Sequence, residues 1–224
     1  MKGFFCSCNV REKDCVSESY NILNEYADKI YGLEKDVQSN DNTEDMDELS
    51  NEIQALKSSN EKRTRRFQVV DSGAKNIVFV RTTIDDPVKL AESIIEDIFE
   101  HKQQKTRFLL RLVPIETICK AYLDDLKKAF QPLLTRHFQN DSKTFSIFFN
   151  HRNNNSLSRD EVISAVAEMI TQQNASHKVD LKNAEISVII EVIRSYALLS
   201  VIPNFIKHKK YNLHAICEKK SESE

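Results

Sequence analysis

The spacing of apolar residues switches repeatedly between two periods along this chain, and the switches divide it into short strands and amphipathic helices. GFFCSC at 3–8 is a compact apolar stretch that reads as a strand. Over 15–31, Val16, Tyr20, Leu23, Ala27 and Ile30 recur at three- and four-residue steps. That is the period of a helix buried along one side, and Gly32 supplies its stop. The pattern is then lost: 33–48 is acidic, aperiodic and reads as a disordered insertion. Leu49, Ile53 and Leu56 suggest a weak helix leading into Lys62-Arg63-Thr64-Arg65-Arg66. FQVVD (67–71) and NIVFVRT (76–82), rich in β-branched and aromatic residues, flank a turn at 72–75 and predict a hairpin.

Asp86-Pro87 has the form of a helix start, a capping side chain followed by proline in the first turn. Leu90, Ala91, Ile94, Ile95 and Ile98 form its buried stripe, as far as about Lys102. TRFLLRLV (106–113) alternates, with Arg107, Leu109, Arg111 and Val113 facing one way and Phe108, Leu110 and Leu112 facing a core. Pro114 ends that strand. A helix is expected from about Thr117, burying Cys119, Tyr122, Leu126, Phe130 and Leu133, with Pro132 set to kink or break it. TFSIFFN (144–150) predicts another strand, and Ser158 to Glu161 has capping-box spacing ahead of a helix that buries Val162, Val166, Met169 and Ile170. ISVIIEVI (186–193) and YALLSVI (196–202) predict a second hairpin turning at Arg194-Ser195. The class is α/β in the broad sense (α+β), with a mixed or antiparallel sheet rather than a doubly wound one.

The length, 224 residues, suits a core shared between two small lobes. Composition then removes whole classes of function. The three glycines, Gly3, Gly32 and Gly73, lie far apart, so phosphate loops, dinucleotide fingerprints and glycine-rich acetyl-CoA or methyltransferase cradles lack their raw material. No cofactor, no catalytic residue and no small-molecule substrate is expected. No apolar run approaches the roughly 18 residues that span a bilayer, and the short N-terminal burst lacks the centre of a secretory signal. With no export signal, the five cysteines point to free thiols in a reducing, intracellular compartment. Charge is unevenly spread: residues 1–60 hold 6 Lys/Arg against 13 Asp/Glu, a net of −7, and 61–224 hold 26 against 21, a net of +5. A basic body of that kind suits a polyanionic partner.

Cys6, Cys8 and Cys15 invite a zinc site, but Cys-x-Cys is not paired-ligand spacing, so buried thiols and no metal are expected. None of the six histidines forms a metal-spaced pair. Arg107 and Arg111, on one strand face with Lys120 beyond, suit phosphate; salt bridges to Asp124 or Asp125 are the alternative. After the strand at 144–150, His151-Arg152-Asn153-Asn154-Asn155 offers donors to phosphate or a base edge, or ordinary turn chemistry. Lys62, Arg63, Arg65 and Arg66, with Lys207, Lys209 and Lys210 in the tail, would extend a positive surface if they fold to one side. The run at 62–66 serves equally as a nuclear signal or an RNA contact, so nucleus, nucleolus and cytoplasm stay open.

Arg-x-x-x-Arg, then Pro, then Cys-Lys-Ala within TRFLLRLVPIETICKAY (106–122) resembles the THUMP RNA-binding domain. HRNNNSLSRDEVI (151–163), KVDLKNAEISVIIEVI (178–193) and KYNL (210–213) extend the likeness in the same order. Together with CVSESYNILNEY and RRFQVVDSGAKNIVFVRT, they resemble the THUMP domain-containing protein 1 family of adaptors for tRNA cytidine acetylation. The resemblance implies an N-terminal ferredoxin-like lobe (1–32 and 49–104), the acidic insertion (33–48), a THUMP domain (105–214) and a polar tail (215–224). It implies a tRNA-binding adaptor that presents serine and leucine tRNAs to an RNA cytidine acetyltransferase for N(4)-acetylcytidine formation in the D-arm. It also favours Arg107, Arg111, Lys120 and Arg152 as RNA contacts. A protein–protein scaffold with incidental RNA binding is the alternative.

Overall fold

A computed structural model describes residues 1–33, 65–139 and 141–218. Lys62 and Arg63, the acidic stretch from 34 to 48, the helix suggested at 49–56 and the last six residues lie outside the described residues. Two sheets organise the rest. The first has the order β2-β3-β1-β4, all antiparallel, from β1 (Lys2–Cys8), β2 (Phe67–Asp71), β3 (Ile77–Thr82) and β4 (Leu109–Ile115). Helices α1 (Glu12–Tyr31) and α2 (Pro87–His101) cover one face of it. Asp86 caps α2 by accepting from the Lys89 amide, with Pro87 in the first turn, as its sequence predicts.

The second sheet has the order β5-β9-β8-β6-β7, from β5 (Thr117–Lys120), β6 (Thr144–Arg152), β7 (Lys178–Val179), β8 (Ile186–Ile193) and β9 (Tyr196–Pro203). β8 and β9 form the expected hairpin, while β6 runs parallel to β8 through a crossover that contains a helix. Helices α3 (Leu123–Phe138) and α4 (Arg159–Gln173) bury one face around Phe130, Phe138, Phe149 and Val166. Most of the opposite face is covered as well. Ile189, Ile193, Leu198 and Ile202 join the core built around Phe4, Leu23, Ile94 and Leu112, so the two sheets share one continuous interior. A short helix, α5 (Leu213–Cys217), closes the chain against α2 and β4. The expected mixed α/β class is the observed one.

Four details depart from the sequence reading. β4, placed in the second unit by its motif, pairs with β1, so the passage between sheets falls at Glu116, the single residue separating β4 from β5. Thr117–Lys120, expected to begin a helix, is a strand paired with β9, because its β-branched and half-buried residues complete an open sheet edge; α3 starts only at Leu123. That helix continues through Pro132, which faces solvent, where the ring meets no neighbouring element. Ser158 precedes α4 in an extended conformation, but its side chain makes no capping bond.

The strict alternation read into 106–113 also fails. Ser7 pairs with Arg111 and Cys8 with Leu109, leaving Leu110 without an opposite partner. This is a β-bulge, and it turns two successive side chains, Leu110 and Arg111, to the same side. Leu109 is consequently buried on the other side from Arg111, Val113 is buried as well, and Arg107 lies in the bend before the strand rather than on a shared face with Arg111.

Candidate nucleic-acid interface

A cleft of about 740 Å³ opens where the edge of β4 approaches the free half of β6. β7 covers only Thr144 and Phe145 of β6, so the strand reaches Arg152 with one edge unpaired by its neighbour. Arg111, Arg152 and Arg159 all line the cleft, and none makes an ion pair or side-chain hydrogen bond among the described residues. Three guanidiniums without ion-pair partners on one concave site have the donor geometry that suits phosphate oxygens. Asn76, Asn150 and Asn212 add neutral polar groups, and Asn212 bridges the β4 backbone at Arg111. The carboxylate of Glu191 reaches the same cleft from β8.

The sequence singled out Arg111 and Arg152 for this role, and tertiary packing brings them together. Arg159, Asn76, Asn150, Asn212 and Glu191 were missed. Their periodicity gave no signal, because each reaches the cleft from a different element.

A second group of cations lies along the end of the second sheet. Arg152, Ile193, Tyr196 and Lys120 occupy one cross-strand row, which puts Lys120 three strand spacings, roughly 14 Å, from Arg152. Lys120 is exposed at the β5 edge. The Arg194 guanidinium lies over the turn of the first hairpin, where a Cβ at Gly73 would come within 2.3 Å of its Cζ. Gly73 also has φ +65, so glycine serves both the turn and the close approach. Asn153, exposed with φ +52, follows Arg152 but does not line the cleft. Asn154 is turn chemistry: its carbonyl oxygen accepts from the Ser156 amide and its amide nitrogen donates to the Arg194 carbonyl.

The remaining candidates divide. Arg66 is tied to the Asp28 carboxylate at 2.7 Å and to the Gly32 carbonyl at 2.9 Å, fastening the start of β2 to the end of α1. Arg65 is exposed. Arg107 is exposed, with its guanidinium 5.4 Å from the Phe108 ring centroid; Arg11 lies 4.9 Å from the same centroid. Glu18 fixes this bend by accepting from the backbone amides of Arg107, Phe108 and Leu109 at 2.8–2.9 Å. In the tail, Lys207, Lys209 and Lys210 are exposed. The Lys210 ammonium sits 4.9 Å from the Phe148 centroid, beside β6, while His208 between these lysines is buried.

The cysteines behave as small apolar residues. Cys6, Cys8 and Cys15 are buried free thiols beneath α1. Burial pushes Cys6 up to about 12, well away from a nucleophilic thiolate. No helix among the described residues is long and apolar enough to cross a membrane.

Two sheets sharing a core, with cations gathered at their junction, define the class. The THUMP domain profile matches residues 120–202, which span most of the second sheet and both of its covering helices. The crystal structure of PH1313 from Pyrococcus horikoshii shares the fold, with a TM-score of 0.50 at 14% identity over 91% of this chain and 55% of that one. Within the class, the chain is 39% identical to the THUMP domain-containing protein 1 homolog of Drosophila melanogaster, covering 100% of this chain and 77% of that protein. It is 41% identical to the Homo sapiens THUMP domain-containing protein 1, covering 96% of this chain and 64% of that protein. The chain spans about two thirds of the length of the mammalian relatives it matches. A Saccharomyces cerevisiae protein named tRNA acetyltransferase TAN1 is 25% identical over 97% of this chain and 85% of its own length. The chain belongs to the THUMP domain-containing protein 1 family.

Proposed function

We propose that this chain is a non-catalytic tRNA-binding adaptor. It presents serine and leucine tRNAs to a separate RNA cytidine acetyltransferase, which forms N(4)-acetylcytidine in the D-arm. The observation that carries the binding half of this reading is the junction cleft, where Arg111, Arg152 and Arg159 converge with no ion pair among the described residues. The name of the yeast relative, which joins tRNA to acetylation, supports the modification half. Acetyl-CoA and ATP chemistry belongs to the acetyltransferase, in keeping with the scattered glycines of this chain. Lys120, Asn153, Arg107 and the lysines of the tail extend the contact outward along the RNA backbone, giving affinity and register rather than sequence reading.

The test is binding of an unmodified tRNA transcript, followed by fluorescence anisotropy across a salt titration. The wild-type chain binds at low ionic strength and loses affinity steeply as salt rises. Arg111→Ala combined with Arg152→Ala weakens binding by about 1–3 kcal/mol. Absence of binding at low ionic strength overturns the reading. Acetylated tRNA formed by the chain alone overturns its non-catalytic half. Capture of the acetyltransferase that survives both nuclease and the arginine substitutions favours a protein scaffold with incidental RNA binding.

A further inference from the structure

The floor of the cleft holds a group that a purely phosphate-binding site would exclude. β8 is buried along its whole length, and Glu191 is its single charged residue, only 7% exposed. Burying a carboxylate is costly unless its oxygens are satisfied. The buried carboxylate at the passage between the sheets, Glu116, meets that condition fully. Its oxygens accept from Arg136, His137, Ser200 and the Val201 amide. Glu191 does not. Asn150 donates to its Oε1 at 2.7 Å, while Oε2 has no hydrogen-bond partner among the described residues and opens to the cleft rather than being sealed from it. Burial raises its pKa, and Asn150, Arg152 and Arg111 oppose that without forming an ion pair.

Phosphate oxygens carry no proton at neutral pH, so Glu191 repels the very group that the surrounding arginines attract. A ligand group that takes the place of water at Oε2 must donate. Asn150 adds to this: one N–H of its amide is held by Glu191, which fixes the amide and leaves its carbonyl oxygen as a second acceptor beside the other N–H. The volume of about 740 Å³ lies within the ~300–1,000 Å³ typical of small-ligand sites and has room for one extruded nucleotide.

We infer that Glu191 reads the base of a nucleotide held in this cleft, accepting a hydrogen bond from its exocyclic amino group while the arginines hold the flanking phosphates. Cytosine, adenine and guanine supply that donor. Uracil presents carbonyl oxygens on either side of its one ring N–H and is disfavoured. The inference rests on the tRNA-binding reading and adds base selectivity to it.

The experiment measures anisotropy of labelled oligocytidylate, oligoadenylate and oligouridylate, each about eight nucleotides long, with the full chain at low salt. Wild type binds the cytidine and adenosine oligomers roughly fivefold or more tighter than the uridine oligomer, the lower range for one good base contact. Glu191→Gln, which offers an N–H as well as an acceptor, brings that ratio close to one without weakening the uridine oligomer. Asn150 is exposed, so Asn150→Ala provides a second variant that does not disturb the buried part of β8; it shifts the cytidine-to-uridine ratio by releasing Oε1 and removing an acceptor. Equal affinities in wild type, or a ratio that neither variant alters, overturns the inference. So does a preference for RNA over DNA oligomers with no base preference, which would assign Glu191 to the ribose 2′-hydroxyl. A chain that binds tRNA but no oligomer loses only this inference. One that binds neither loses the tRNA reading as well.

Discussion

Carboxylates of the same type are set to different tasks by what surrounds them. Glu116, between the sheets, and Glu191, on β8, are both buried residues, yet one is saturated with donors and the other retains an open oxygen. Glu92, on α2, is a third case. Burial first, then the charges of Glu96 and Asp86, push its carboxyl up to about 7. A raised folded-state pKa means that the native chain holds a proton the unfolded chain has already released. Glu92 therefore lowers stability as pH rises from about 4.5 through 7. Glu92→Gln is expected to raise the melting temperature at pH 8 and leave it nearly unchanged at pH 4.5. The gain should be roughly 2–4 °C for each kcal/mol recovered. Thermal denaturation of both proteins at the two pH values measures the difference.

Element by element, most boundaries were legible because local chemistry and burial agree. Asp86-Pro87 caps α2 where expected, and Arg194-Ser195 turns the second hairpin where the β-branched runs meet. The misreadings share a cause: a local signal met a stronger tertiary one. Thr117–Lys120 followed a helical pattern backward from α3, but the open edge of β9 offered backbone hydrogen bonds that a first helical turn lacks. Pro132 was read as a breaker. It is tolerated because Leu126, Phe130, Leu133 and Leu134 anchor the helix on both sides of it, at the cost of one backbone bond on the wet face. Pro132→Ala is consequently expected to stabilise the protein, by up to about 3 kcal/mol, the usual penalty of an interior proline. Chemical denaturation would detect it; a loss of stability would show that the ring fixes the helix direction instead.

At the scale of the whole molecule, function depends on how two sheet edges are held. β4 belongs to the first sheet and β6 to the second, and Glu116 is the only residue between β4 and β5. Its carboxylate is bound on the helix side by Arg136 and His137 and on the sheet side by Val201, so the passage between sheets is pinned rather than flexible. The shared core around Ile189, Ile193 and Leu198 fixes the rest of the geometry. Arg111, Arg152 and Arg159 should then act as one electrostatic unit. Replacing any one by Ala is expected to lower the slope of log affinity against log salt by about 0.7–0.9. Arg66→Ala, which removes a tie between β2 and α1, is expected to reduce stability and leave that slope unchanged. Salt titrations of tRNA binding with each variant separate the two roles, and a slope change for Arg66 equal to that for Arg111 would contradict the division.

By itself, the sequence determined the list of elements, the mixed class and the cations available for an anionic partner, since periodicity, capping and charge are properties of short stretches of chain. Arg111 and Arg152 were visible in it as free charges beside apolar strands. Only the tertiary structure decided that these two belong to one cleft, that a bulge at Leu110 aims Arg111 into it, and that Arg66 is a structural tie. It alone placed Glu191, hidden in an apolar run, at the floor of that cleft. The physical reason is range. A helix or strand period is set by neighbours a few residues apart, whereas a binding site is set by which distant surfaces exclude water together, and that depends on packing across the whole chain.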